Sequence, residues 1–120
     1  MSKPRRDKHY LADIVEAIER ILSYTQGLTY ADFLANAMVQ DAMLRNLQVI
    51  GEATKKLSDA LSAAHPDVPW REMAGMRDKI VHDYFGINYQ VVWDVVQRDL
   101  PGVLLQIRAM LEAGLGGEEK

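Results

Sequence analysis

A chain of 120 residues and 13.6 kDa holds one domain around one core and leaves little room for a second site. It has no cysteine, which excludes a disulfide framework and thiolate zinc sites and suits a reducing cytosol. The net charge of −3 excludes a positive field over the whole surface that would bind nucleic acid indiscriminately, so any polyanion site must be local.

The start, Ser2-Lys3-Pro4-Arg5-Arg6-Asp7-Lys8, lacks the apolar stretch of a secretory signal and reads as a solvated basic tail. No apolar run approaches the roughly 20 residues of a membrane helix. A soluble, cytoplasmic protein with no membrane partner is therefore expected.

Leu11, Ile14, Val15, Ile18 and Leu22 recur at three- and four-residue steps, predicting an amphipathic helix from about Asp7 to Tyr24 with Gly27 as its stop. Thr29, three residues before Asp32, suits a helical start. The series Met43, Leu47, Ile50, Leu57 and Leu61 then extends one helical face to about Ala63, with a possible break near Asn36. Gly51 interrupts that face at a cost of about 1 kcal/mol against alanine, which marks the close approach of another helix, conceivably across a dimer interface.

His65-Pro66-Asp67-Val68-Pro69 is the clearest loop, since both prolines oppose helix continuation. A third helix should start near Trp70 and end by Phe85-Gly86, and Asn88 can cap a fourth beginning near Tyr89. Val92, Val95, Val96, Leu100, Leu104, Ile107 and Leu111 form its buried stripe, with a kink or interruption expected at Pro101. Four helical segments with short connections and no strand-period alternation predict an all-α, antiparallel four-helix bundle. A single domain over residues 1–113 and a disordered tail over 114–120 complete the expected layout.

Chemistry concentrates in Arg77-Asp78-Lys79-Ile80-Val81-His82-Asp83-Tyr84. An imidazole exchanges a proton near neutral pH and a guanidinium holds phosphate oxygens, the two needs of RNA cleavage without a metal. The spacing alone is common enough to arise by chance, and an anonymous helical histidine is more often a core or interface residue. In a regular helix Arg77 and His82 differ by about 140°, whereas Tyr84 falls almost beneath Arg77. A site there needs either a loosened helix end or a second chain.

Asp78 lies one turn before His82 and could orient its imidazole, or could equally form a plain surface pair. Other basic candidates for RNA binding are Arg71, Lys79 and the pair Lys55-Lys56. His9 and Asp13 have metal-pair spacing but no third ligand, so a helix-surface contact is the simpler reading. No metal or cofactor is expected. Trp70, Trp93 and Phe85 could stack on bases, but each falls where a core or a dimer seam is expected.

The context around the motif carries more. Pro69-Trp70-Arg71-Glu72-Met73-Ala74-Gly75-Met76 precedes it, Phe85-Gly86-Ile87-Asn88 follows, and Arg45-Asn46-Leu47-Gln48-Val49-Ile50-Gly51-Glu52-Ala53 stands upstream. With Val92-Trp93-Asp94 and Asp99-Leu100-Pro101, these segments resemble the HepT-like branch (DUF86) of the HEPN family over about Tyr10 to about Leu111. The branch comprises the toxin halves of HEPN/nucleotidyltransferase toxin–antitoxin pairs.

The resemblance implies a symmetric homodimer in which two Arg-x4-His motifs share a cleft, with Arg77 and His82 as the catalytic pair of a metal-independent endoribonuclease. It also implies that Tyr84, which completes Arg-x4-His-x-Tyr, is the tyrosine that a cognate minimal nucleotidyltransferase antitoxin adenylylates, giving O-AMP-tyrosine. RNA would be the substrate. The alternative is a non-catalytic dimeric module that binds a partner or a nucleotide and serves mainly as the adenylylation acceptor.

Overall fold

The first helix, α1 (Lys3–Thr25), buries Leu11, Ile14, Ala17, Ile18 and Ile21, a stripe set by the three- and four-residue spacing of its apolar positions. The computed structural model describes residues 3–114, and the expected tail beyond Gly114 lies outside the described residues. Gly27 ends this first segment with φ of 78°, the left-handed turn that glycine accepts without strain.

Thr29 then opens α2 (Tyr30–Leu34) through a capping box: its hydroxyl accepts from Asp32 N and its own N–H donates to Asp32 at 2.9 Å. Hydrogen bonding to the carboxyl by the Thr29 backbone first, then by the Thr29 side chain, holds Asp32 below its ordinary range. Asn36 breaks the chain and caps α3 (Ala37–Lys55), accepting from Val39 N.

The expected continuous helix to Ala63 does not form. The chain leaves α3 at Lys55, and Ser58 caps a separate short helix, α4 (Asp59–Ala64), by accepting from Leu61 N. Buried Asp7 at the start of α1 accepts from the Ser58 amide at 2.8 Å and from its hydroxyl at 2.6 Å. Leu57 stays buried across the break, so the apolar stripe continues where the hydrogen-bond ladder does not.

After the proline loop, α5 (Trp70–His82) carries the motif. It ends at His82, and a 3-10 turn, Tyr84–Gly86, follows. Asn88 caps α6 (Tyr89–Asp94) by accepting from Gln90 N and Val91 N. A π-helical turn, Val95–Asp99, leads into α7 (Leu100–Glu112), where Pro101 occupies the first turn. The proline therefore interrupts the ladder locally without ending the segment.

The four-segment layout survives these interruptions as an all-α bundle. α1 packs on α3 and α7, and α3 packs on α5. α1 and α3 run antiparallel, because Asp7 at the start of one meets Ser58 beyond the end of the other. The core joins Ile14 and Ile18 to Met43, Leu47, Ile80, Val96 and Ile107. At one end Phe33 is fully buried, stacks on Trp93 at 5.1 Å and meets Tyr89 edge-on at 5.6 Å.

Candidate functional site

Gly51 fixes how α5 lies on α3. A Cβ there would come within 2.3 Å of Arg77 Cβ and 3.0 Å of the Met73 carbonyl oxygen, so the two helices touch through backbone and the root of Arg77. The close approach expected at Gly51 is thus made inside one chain, against the helix that bears the motif. It is not made across a dimer interface.

From that seat the Arg77 side chain runs between two carboxylates. Its Nε lies 3.6 Å from Glu52 Oε2, buried but just beyond hydrogen-bonding reach, and its Nη1 donates to Asp78 Oδ1 at 3.2 Å. Lys55 pairs with the same Asp78 carboxylate from α3. The bond from Lys55, more than that from Arg77, lowers the Asp78 pKa below its ordinary value. Asp78 therefore engages Lys55 and Arg77, and the structure gives it no hydrogen bond to His82. Glu52, which faces Arg77 from α3, and Lys55, which pairs with Asp78 from the same helix, were invisible to local spacing because they stand far away in sequence.

His82 is the last residue of α5 and is exposed. Tyr84 follows in the 3-10 turn, where its phenol donates to Asp41 Oδ1 at 3.2 Å and its ring meets Phe85 edge-on. Desolvation first, then the charge and hydrogen bond of Asp41, raise the Tyr84 phenol above its usual value. Because α5 stops at His82, Tyr84 is not stacked beneath Arg77 in one continuous helix. Asp41 and Glu52 lie only about 20° apart around α3 and about 16 Å apart along it, so one face of α3 serves both ends of the motif. Asp41 was not singled out from the sequence, since nothing local marks an exposed aspartate near a helix start.

Phe85 has a relative exposure of 101%, and Val81 and Val91 are about half exposed beside it in sequence and along α6. Of the two places expected for Phe85, core or dimer seam, this exposure excludes the core of a single chain. Trp93 is buried, and Trp70 donates its indole N–H to the His65 carbonyl at 2.9 Å, so both pack as structural aromatics. His9 and Asp13 meet at 3.5 Å as a helix-surface pair. Among the described residues no group of three or more His, Cys, Asp or Glu is placed to hold a metal ion, and no helix is long and apolar enough to cross a membrane.

A groove of about 690 Å³ runs between α3, α5 and α7, walled by Leu47, Ile50, Met73, Met76, Leu100 and Val103. None of Arg77, His82 and Tyr84 lines it. The motif occupies open surface at one end of α5, with a permanent cation, an exposed imidazole and a hydrogen-bonded phenol on successive stretches of chain. Such a surface can bind a phosphodiester and exchange protons, but one chain offers only one imidazole there.

An all-α bundle of HEPN type with an Arg-x4-His-x-Tyr segment at the end of one helix is the class these features define. The chain belongs to the ribonuclease HepT-like family, whose profile matches residues 14–110. It is similar to a protein of Thermococcus cleftensis named "Probable ribonuclease HepT", 46% identical over 99 residues that span 82% of this chain and 90% of that one. A Methanocaldococcus jannaschii protein named "Putative RNase" is 38% identical over 117 residues, 97% of both chains. Another so named, from Caldanaerobacter subterraneus, is 36% identical over 103 residues, 86% of this chain and 92% of that one. No solved structure matches the chain.

Proposed function

We propose that this protein is an endoribonuclease that works without a metal, the toxin of a HEPN/nucleotidyltransferase toxin–antitoxin pair. The observation that carries the reading is a carboxylate-steadied Arg77 and an exposed His82 on the same helix, α5, in a chain whose family and relatives bear ribonuclease names.

Cleavage by the ribose 2′-hydroxyl needs a base for its proton and an acid for the departing 5′-oxygen. A single imidazole cannot occupy both places, and a two-fold dimer supplies two. The 2′-oxygen bonds to phosphorus as His82 of one protomer takes its proton. The bond to the 5′-oxygen then breaks as the partner's His82 protonates it, leaving a 2′,3′-cyclic phosphate. Arg77, steadied by Glu52 and Asp78, neutralises the charge that builds on the phosphorane. Adenylylation of Tyr84 by the antitoxin would set a bulky phosphodiester beside both residues, excluding RNA by shape and by charge.

RNA cleavage should persist in excess EDTA, follow a bell-shaped pH–rate profile, and disappear in Arg77→Ala and His82→Ala variants that melt like the parent. Gel assays with labelled RNA read the outcome. Activity abolished by chelation but retained in His82→Ala would reject the mechanism.

A further inference from the structure

Tyr84 is joined to the body of the fold by a hydrogen bond to a residue 43 positions earlier, whose side chain has no other hydrogen bond or ion pair among the described residues. Asp41 sits in the first turns of α3, exposed, and its Oδ1 accepts from the phenol at 3.2 Å. A phenol that stays protonated is a weak nucleophile, and one whose proton already points at a free carboxylate is ready to lose it as a new bond forms at oxygen.

We propose that Asp41 is the general base of the Tyr84 modification, a catalytic residue that the acceptor protein itself brings to the reaction. The proposal rests on the reading of Tyr84 as the adenylylated residue. In the step, Tyr84 Oη bonds to the α-phosphorus of ATP, and the bond from that phosphorus to the bridging oxygen of the β-phosphate breaks. Pyrophosphate leaves, and the phenolic proton passes to Asp41 Oδ1. The transferase supplies Mg²⁺-ATP.

Desolvation first, then the neighbouring Asp41 carboxylate, raise the Tyr84 phenol, a direction in keeping with a phenol that is protonated at rest. The charged and titratable neighbours of the pair are Tyr89, whose charge also acts on Tyr84, and Arg45, one turn along α3 from Asp41 on the same face. Among the described residues Arg45 makes no ion pair with the Asp41 carboxylate. The placement also separates the two activities of the segment: the base for modification comes from α3, whereas the imidazole proposed for cleavage ends α5.

The experiment compares initial rates of AMP addition to the full chain, read by intact mass and peptide spectrometry, with the cognate nucleotidyltransferase, ATP and Mg²⁺. Asp41→Asn keeps a hydrogen-bond acceptor for the phenol but cannot take a proton. It should lower kcat for modification by about a hundredfold, with KM for the chain unchanged and an unaltered melting curve. Asp41→Glu should recover part of the rate. Parent-like kcat in Asp41→Asn, or a loss confined to KM, overturns the assignment while leaving Tyr84 as the acceptor. AMP found on another residue of the parent, or on none, overturns the reading of Tyr84 and this inference with it.

Discussion

Gly51 and Arg77 meet so closely that position 51 cannot take a side chain while α5 stays where it is. Adding one methyl group at Gly51 places carbon 2.3 Å from Arg77 Cβ, far inside contact distance, and both atoms are fixed to helical backbone. Gly51→Ala gains about 1 kcal/mol of helix propensity. The overpacking costs about 1–3 kcal/mol and must push α5 outward. Urea melts should show net destabilisation, and RNA cleavage should fall by more than stability explains, because the displaced residue carries the guanidinium. A variant as stable and as active as the parent would mean that the helices part freely. The sequence did mark Gly51 as a contact point, since a glycine inside a helical pattern needs a reason. It did not reveal the partner, and for Asp78 it left two readings open, orienting His82 one turn away or a plain surface pair, while the structure shows Lys55 on the carboxylate from another helix. Local spacing ranks neighbours along one helix and says nothing about the helix that will lie across it.

Helix starts were legible because their signals are local. Thr29 with Asp32, Asn36 and Asn88 each bond to backbone within three residues, and each was readable as a cap or a break. The gap between α3 and α4 was not, because Leu57 and Leu61 keep the helical period through it and the residue that secures it, Asp7, lies 51 positions away. Asn88 matters most for the motif, since its side chain takes two amides at the start of α6 and so fixes where the chain goes after Tyr84–Gly86. Asn88→Ala should cost about 1 kcal/mol in chemical denaturation. Asn88→Asp, which keeps the acceptor, should restore it. An equal loss in both variants would assign the effect to something other than capping.

At the scale of the molecule, a few large apolar side chains stay exposed in and after the charged motif segment. Phe85 stands fully clear of the chain, with Val81 and Val91 about half exposed. A second copy meeting this end would cover Phe85 and bring a second imidazole to the same cleft, the geometry the proposed chemistry needs. Sedimentation at micromolar concentration should therefore give a homodimer. Phe85→Asp should shift it to monomer and abolish RNA cleavage, with helical circular dichroism unchanged. A parent monomer that cleaves RNA would refute the shared site. The bundle itself was foreseeable from periodicity. For Phe85 the sequence left core and dimer seam both open, because a large aromatic within an apolar segment looks the same whether its neighbours belong to the same chain or to another.

The π turn at Val95–Asp99 has a consequence of phase. Leu100 donates its amide to the Val95 carbonyl, five residues back, so this turn holds one residue more than the α-helix on either side. Each extra residue rotates everything downstream by about 100°. Val103, Leu104, Ile107 and Met110 face inward at that setting. The thirteen residues of α7 are thus indexed by one turn, like a key whose bit is cut correctly but enters only at one angle. Removing a residue there would leave the helix intact and present its wrong side to α1.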